Sequence, residues 1–162
     1  MKKYGKSTKR GFTLVELIVV IVILAVLAAM LVPALIGYID RARKEKDYQT
    51  ASVVYAAAQA AITEAYGKGY IQDKAETTIK GSDEYPGKVV LNGVEKDDAT
   101  YLEVVCDLAG VSTDKVTDIK FTTDASLVIE SGKVLIENNN TAVVYEMKDT
   151  GEWVAASGNA IT

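Results

Sequence analysis

The sequence predicts an α+β fold, a long N-terminal α-helix packed on a C-terminal antiparallel β-sheet, and three observations carry that expectation. Leu17 to Val32 is an unbroken apolar run. From Asp40 onward, small and apolar residues recur at intervals of three and four, the period of a helix with one buried face. Beyond Gly110, short alternating segments are separated by turn residues, the pattern of hairpin-linked strands. Helix first and strands afterwards argues against a βαβ arrangement.

The N-terminal third sets the chain's character. Residues 1–11 hold five cations (Lys2, Lys3, Lys6, Lys9, Arg10) and no acid, and from Phe12 to Ile39 the only charged residue is Glu16. Leu17 to Ile39 is 23 residues, which at about 1.5 Å per residue covers about 35 Å, enough to cross a hydrocarbon layer of about 30 Å. Basic flanks stay on the cytoplasmic side, so the remainder is expected to cross the cytoplasmic membrane. Pro33 falls within the apolar half, removing one backbone donor and crowding the preceding turn, which predicts a kink.

Residues 12 to about 66 read as one helix about 80 Å long. Its first half is apolar all round and needs lipid or other chains to cover it. Its second half places Ala51, Val54, Tyr55, Ala58, Ala61, Ile62 and Ala65 on one face, fit to pack on a sheet, with Tyr48, Tyr55 and Tyr66 as packing aromatics. Arg41, Arg43, Lys44, Glu45, Lys46 and Asp47 are expected to form a solvated collar between the halves, and Gly67 and Gly69 to end the helix.

Residues 67 to about 96, rich in Gly, Lys, Asp, Glu and Thr with a Tyr85-Pro86-Gly87 turn signal, read as a long surface connection. Asp97 or Asp98 is the expected cap of a short helix that runs to Ala109 and stops at Gly110. Strands follow at Val116 to Thr122, Leu127 to Glu130, Lys133 to Glu137, Ala142 to Met147 and Glu152 to Ala155. Their turns are Ser131-Gly132, Asn138-Asn139-Asn140 and Asp149-Thr150-Gly151.

Charge and composition exclude several function classes. Residues 68–162 carry nine cations and 17 acids, which disfavours a nucleic-acid partner. No histidine occurs, removing His-based catalysis and most zinc sites. The lone Cys106 cannot form an internal disulfide and reads as a buried small residue. Glu95 with Asp97-Asp98, and Glu137 with Asn138 to Asn140, lack the alternating pattern of a calcium loop and read as a cap and a turn. No nucleophile or carboxylate pair stands in a catalytic setting, so no enzymatic activity and no cofactor are expected.

A secretory signal peptide also begins basic and turns apolar, but its cleavage site follows the apolar region, where Val26-Leu27-Ala28 only approximates the small-residue pattern. Nor does such a signal need Glu16, since a carboxylate at a membrane helix centre costs about 2.5–3.5 kcal/mol on insertion scales. Gly11-Phe12-Thr13-Leu14-Val15-Glu16-Leu17 instead resembles the N-terminal motif of type IV prepilins and of type II secretion pseudopilins. That resemblance covers residues 6–66, and Pro33 matches a proline common in the family's helix.

The resemblance implies a pilin fold divided into a cleaved leader (1–11), a transmembrane and filament-core helix (12–39), its amphipathic continuation (40–66) and a globular head (67–162). It implies cleavage by a prepilin peptidase after Gly11, N-methylation of Phe12, and polymerisation into a helical homopolymer at the cell surface. Implied partners are an inner-membrane platform protein, an assembly ATPase, minor pilins and further copies of the chain. Glu16 is then expected to pair with the Phe12 amine of the next subunit. The competing reading has Glu16 complementing the start of its own helix. With one cysteine the chain departs from pilins that close a C-terminal loop by a disulfide, and is similar instead to pilins of Gram-positive anaerobes. A pseudopilin of a secretion or DNA-uptake system shares the motif. A membrane-anchored binding domain is the alternative of a different class.

Overall fold

A computed structural model describes residues 11–71, 76–138, 141–156, 158 and 160–161. The basic leader side chains (Lys2, Lys3, Lys6, Lys9, Arg10) and two members of the expected asparagine turn, Asn139 and Asn140, lie outside the described residues. The chain divides into two compact units between Arg43 and Lys44. A single helix, α1 (Leu14–Gly67), contributes to both.

In the first unit every described residue is exposed. Apolar side chains that a water-soluble fold would bury are left uncovered, with Leu31 67% and Met30 72% exposed, an apolar surface beyond what soluble monomers present. Pro33 lies inside α1, and the helix continues on both sides of it.

The second unit is built on the rest of α1, which buries Asp47, Ala51, Val54, Ala57, Ala58, Ala61, Ile62 and Ala65. Most are alanines, so the helix backbone can approach closely. The strands are β1 (Thr77–Lys80), β2 (Val89–Leu91), β3 (Val94–Lys96), β4 (Val116–Thr123), β5 (Ile129–Asn138), β6 (Thr141–Met147) and β7 (Trp153–Ala155). Five form an antiparallel sheet in the order β1-β4-β5-β6-β7, while β2 and β3 make a separate hairpin. A short helix, α2 (Tyr101–Ala109), packs against β1, β2 and β4.

On the sheet's core face, Ile119, Phe121 and Thr123 of β4 are buried at alternate positions, as are Val134 and Ile136 of β5. Val116 is also buried, three residues before Ile119, because the register shifts between Val116 and Asp118. One extra residue there resets the alternation. Long-range bonds tie α1 to this layer. Gln59 donates from Nε2 to the Leu127 carbonyl at 2.9 Å and accepts at Oε1 from the Ile129 amide at 2.9 Å. The buried Tyr85 hydroxyl donates to the Ala61 carbonyl at 3.2 Å.

Four expectations are corrected. The region read as a long surface connection contains β1, β2 and β3. The β2–β3 turn is Asn92-Gly93, both at positive φ (51° and 81°), the conformation a tight two-residue hairpin demands. The cap of α2 is Thr100 rather than Asp97 or Asp98. Thr100 accepts from the Glu103 amide while the Glu103 carboxylate accepts from the Thr100 amide, a reciprocal capping box.

Ser131-Gly132 is no turn, since β5 runs through it. Gly132 sits opposite Phe121, and a Cβ there would lie 2.4 Å from the Phe121 ring, so the glycine clears space for an aromatic side chain. The β4–β5 reversal lies earlier, where the Asp124 amide donates to the Val128 carbonyl and Leu127 adopts φ 64°. Finally, Asp47 leaves the expected collar and is buried, 5% exposed. It accepts from Lys115 Nζ at 3.2 Å, Asn138 Nδ2 at 2.8 Å and the Tyr145 hydroxyl at 3.1 Å.

Candidate functional site at the start of the long helix

The expected site residues Gly11, Phe12 and Glu16 fall at the entry to α1. Gly11 is exposed, and a Cβ built on it would meet nothing within 4 Å. Nothing among the described residues therefore demands glycine at this position. Phe12 is 86% exposed, an aromatic side chain with no cover from the described residues.

Thr13, absent from the expected site, completes the geometry. The Glu16 carboxylate accepts from the Thr13 amide at 2.8 Å and from the Thr13 hydroxyl at 2.7 Å, while the Glu16 amide donates to the Thr13 hydroxyl oxygen at 3.3 Å. This is a capping box on α1, signalled in the sequence by Thr13-x-x-Glu16. Glu16 thus does complement its own helix start, as the competing reading held. Both side-chain bonds fall on Oε2, and among the described residues Oε1 accepts none. One carboxylate oxygen is occupied by the cap, and the other keeps its full capacity for a further donor.

Other candidate positions resolve into structure. Cys106 is buried, and burial pushes its thiol up to about 11, which suppresses the reactive thiolate. Tyr48 packs edge-on against Tyr145 at 5.5 Å, and Tyr55 against Phe121 at 6.4 Å. Glu95 takes part in an exposed ion pair with Lys88 at 3.8 Å. No cluster of three or more His, Cys, Asp or Glu side chains suited to a metal ion occurs among the described residues.

The N-terminal part of α1 is long and apolar enough to cross a membrane, and the chain continues into an α+β head, which fits membrane anchoring. The prokaryotic N-terminal methylation motif matches residues 6–32, a stretch that contains Gly11, Phe12, Thr13 and Glu16. That match supports a type IV pilin-like or prepilin-like protein, and the helix-on-sheet architecture is pilin-like. No curated protein and no solved structure matches the chain.

Proposed function

We propose that this chain is a structural subunit of a type IV pilus that serves adhesion, motility or biofilm formation. A prepilin peptidase cuts after Gly11 on the cytoplasmic side and methylates the new amine of Phe12. The subunit waits in the cytoplasmic membrane, its leader inside and its acidic head outside. It then joins a helical surface filament with the help of a platform protein, an assembly ATPase and minor pilins. Its work is mechanical rather than catalytic.

The observation that carries this reading is the pairing of an uncovered apolar helix with a half-engaged carboxylate. In a filament core of bundled apolar helices, a carboxylate without a cation costs several kcal/mol, and a well-placed cation offsets much of that. Cleavage after Gly11 creates such a cation at Phe12. Glu16 keeps Oε2 on its own cap and offers Oε1 to the Phe12 amine of the next subunit. A chain that retains its leader has an amide there in place of an amine and cannot pair in this way.

Mass spectrometry of the chain isolated from cells tests the reading. The expected product begins at Phe12 and carries one added methyl group, and a retained leader would overturn it. Gly11→Arg should leave most of the chain at precursor mass, because a long cationic side chain replaces the smallest residue beside the cut. Electron microscopy of sheared fibres separates the pilus from the short piston of a pseudopilin, since only a pilus subunit appears along micrometre-long filaments.

A further inference from the structure

The segment that follows the membrane-length run repeats the spacing of the N-terminal pair. At the N-terminus the cation, the Phe12 amine, precedes its acid, Glu16, by four residues. In the collar Arg41 precedes Glu45 by the same four residues. Arg41 and Glu45 lie 25 and 29 positions beyond Glu16, which at about 3.6 residues per turn is about seven and about eight whole turns of α1. In a helix of that period both positions share the phase of Glu16. Asp40 and Lys44 share the spacing but sit roughly a quarter to a third of a turn to one side.

Arg41 and Glu45 are exposed, and among the described residues neither closes an ion pair. A four-residue spacing would let them pair within one helix, but cation before acid is the weaker order for such a pair. The collar ion pair that does form is Arg43 to Asp40 at 4.0 Å. Arg43 falls four residues before Asp47, yet Asp47 is buried against Lys115, Asn138 and Tyr145. Arg41 and Glu45 are left as the open pair in phase with Glu16 among the described residues.

We propose that Arg41 of one copy and Glu45 of its neighbour form a second intermolecular ion pair, in the same register that sets the Phe12 amine against Glu16. This rests on the filament reading above. Pairing Phe12 with Glu16 displaces two parallel copies by four residues, about 6 Å along the helix. The same displacement brings Arg41 of one chain level with Glu45 of the other. Any stretching of the helix near Pro33 is identical in every copy, so it leaves the displacement unchanged. The collar pair lies outside the membrane-length segment, so it holds register without placing another charge in the apolar core.

Charge reversal in cells that make full-length chain provides the test. At this contact an Arg41→Glu chain carries two acids and a Glu45→Arg chain carries two cations, so each alone should give about tenfold less sheared filament than wild type through like-charge repulsion. Processed chain in the membrane should stay at its wild-type level in both. Co-expressing the two variants restores an opposite charge at every contact between unlike copies, and yield should recover to within about twofold of wild type. Wild-type yield from either variant alone, or no recovery on co-expression, overturns the proposal while leaving cleavage and assembly intact. Absence of the wild-type chain from sheared filaments overturns instead the function on which it rests, and the proposal with it.

Discussion

Two carboxylates on the same helix are treated in opposite ways. Asp47 is buried and takes hydrogen bonds from three side chains, brought to it from β6, from the end of β5 and from the loop before β4. Glu16 is exposed, bonds only to Thr13 and keeps one oxygen unused among the described residues. The contrast extends to their surroundings, since the alanine-rich face around Asp47 is covered by the sheet and the leucines and valines around Glu16 are covered by nothing among the described residues. A charge that serves the fold is satisfied inside the fold. A charge left half-satisfied in an uncovered apolar stretch is the one that the proposed filament would complete from a neighbouring copy.

The largest expected effect breaks the outward-facing member. Glu16→Val should reduce filament yield by at least about a hundredfold, because stranding the Phe12 amine in a dry core costs about 3–5 kcal/mol. The amount of processed chain in the membrane should stay unchanged, and immunoblots of sheared and membrane fractions read both quantities. Wild-type filament yield would count against the pairing.

Asp47→Ala reverses the comparison. It leaves the Lys115 ammonium without its carboxylate and the Tyr145 hydroxyl and Asn138 Nδ2 without their acceptor, and should destabilise the head by about 3 kcal/mol, read as a lower denaturant midpoint for the full chain in detergent. An unchanged midpoint would show that Asp47 is dispensable to the fold. Gly132→Ala forces a Cβ to within 2.4 Å of the Phe121 ring, an overpacking worth about 1–3 kcal/mol in the same assay. Thr100→Ala removes the cap of α2 at about 1 kcal/mol, and a null result there would assign the capping work to Glu103.

Alkaline titration sharpens the contrast within the head. Burial raises Cys106 from 9.0 to about 11 and Tyr85 from 10.0 to about 12. Between the unfolded and folded values the native head holds protons that the unfolded chain releases, so stability declines as pH rises. Thermal midpoints should hold up to about pH 9 and then fall through about pH 12. A flat profile across that window would mean that these groups are solvated in the folded head.

The sequence made some of this legible and hid the rest for physical reasons. The apolar run, the amphipathic face of α1 and the strands β4, β6 and β7 are local patterns, and so is the Gly11 to Glu16 junction. The hairpin of β2 and β3 was also legible, since Asn92-Gly93 between Val89-Val90-Leu91 and Val94 is a tight-turn signature, but the polar composition around it masked the signal. Thr100 and Glu103 likewise spell a capping box that two nearer aspartates obscured.

β1 was not legible, because four residues become a strand only by pairing with β4, far along the chain. Asp47 sits among exposed charges in sequence, and only the folded sheet supplies its partners. Ser131-Gly132 carries turn chemistry, but its glycine answers to Phe121 across the sheet. In each of these three cases a non-local contact decided against a correct local rule.

A filament structure at side-chain resolution tests the Phe12–Glu16 pairing most directly. The methylated Phe12 amine of one subunit is expected within about 3 Å of Glu16 Oε1 in its neighbour, a charge-assisted hydrogen bond, with Oε2 still on Thr13. A Phe12 amine lying away from every Glu16, or a leader still attached to Phe12, would contradict it.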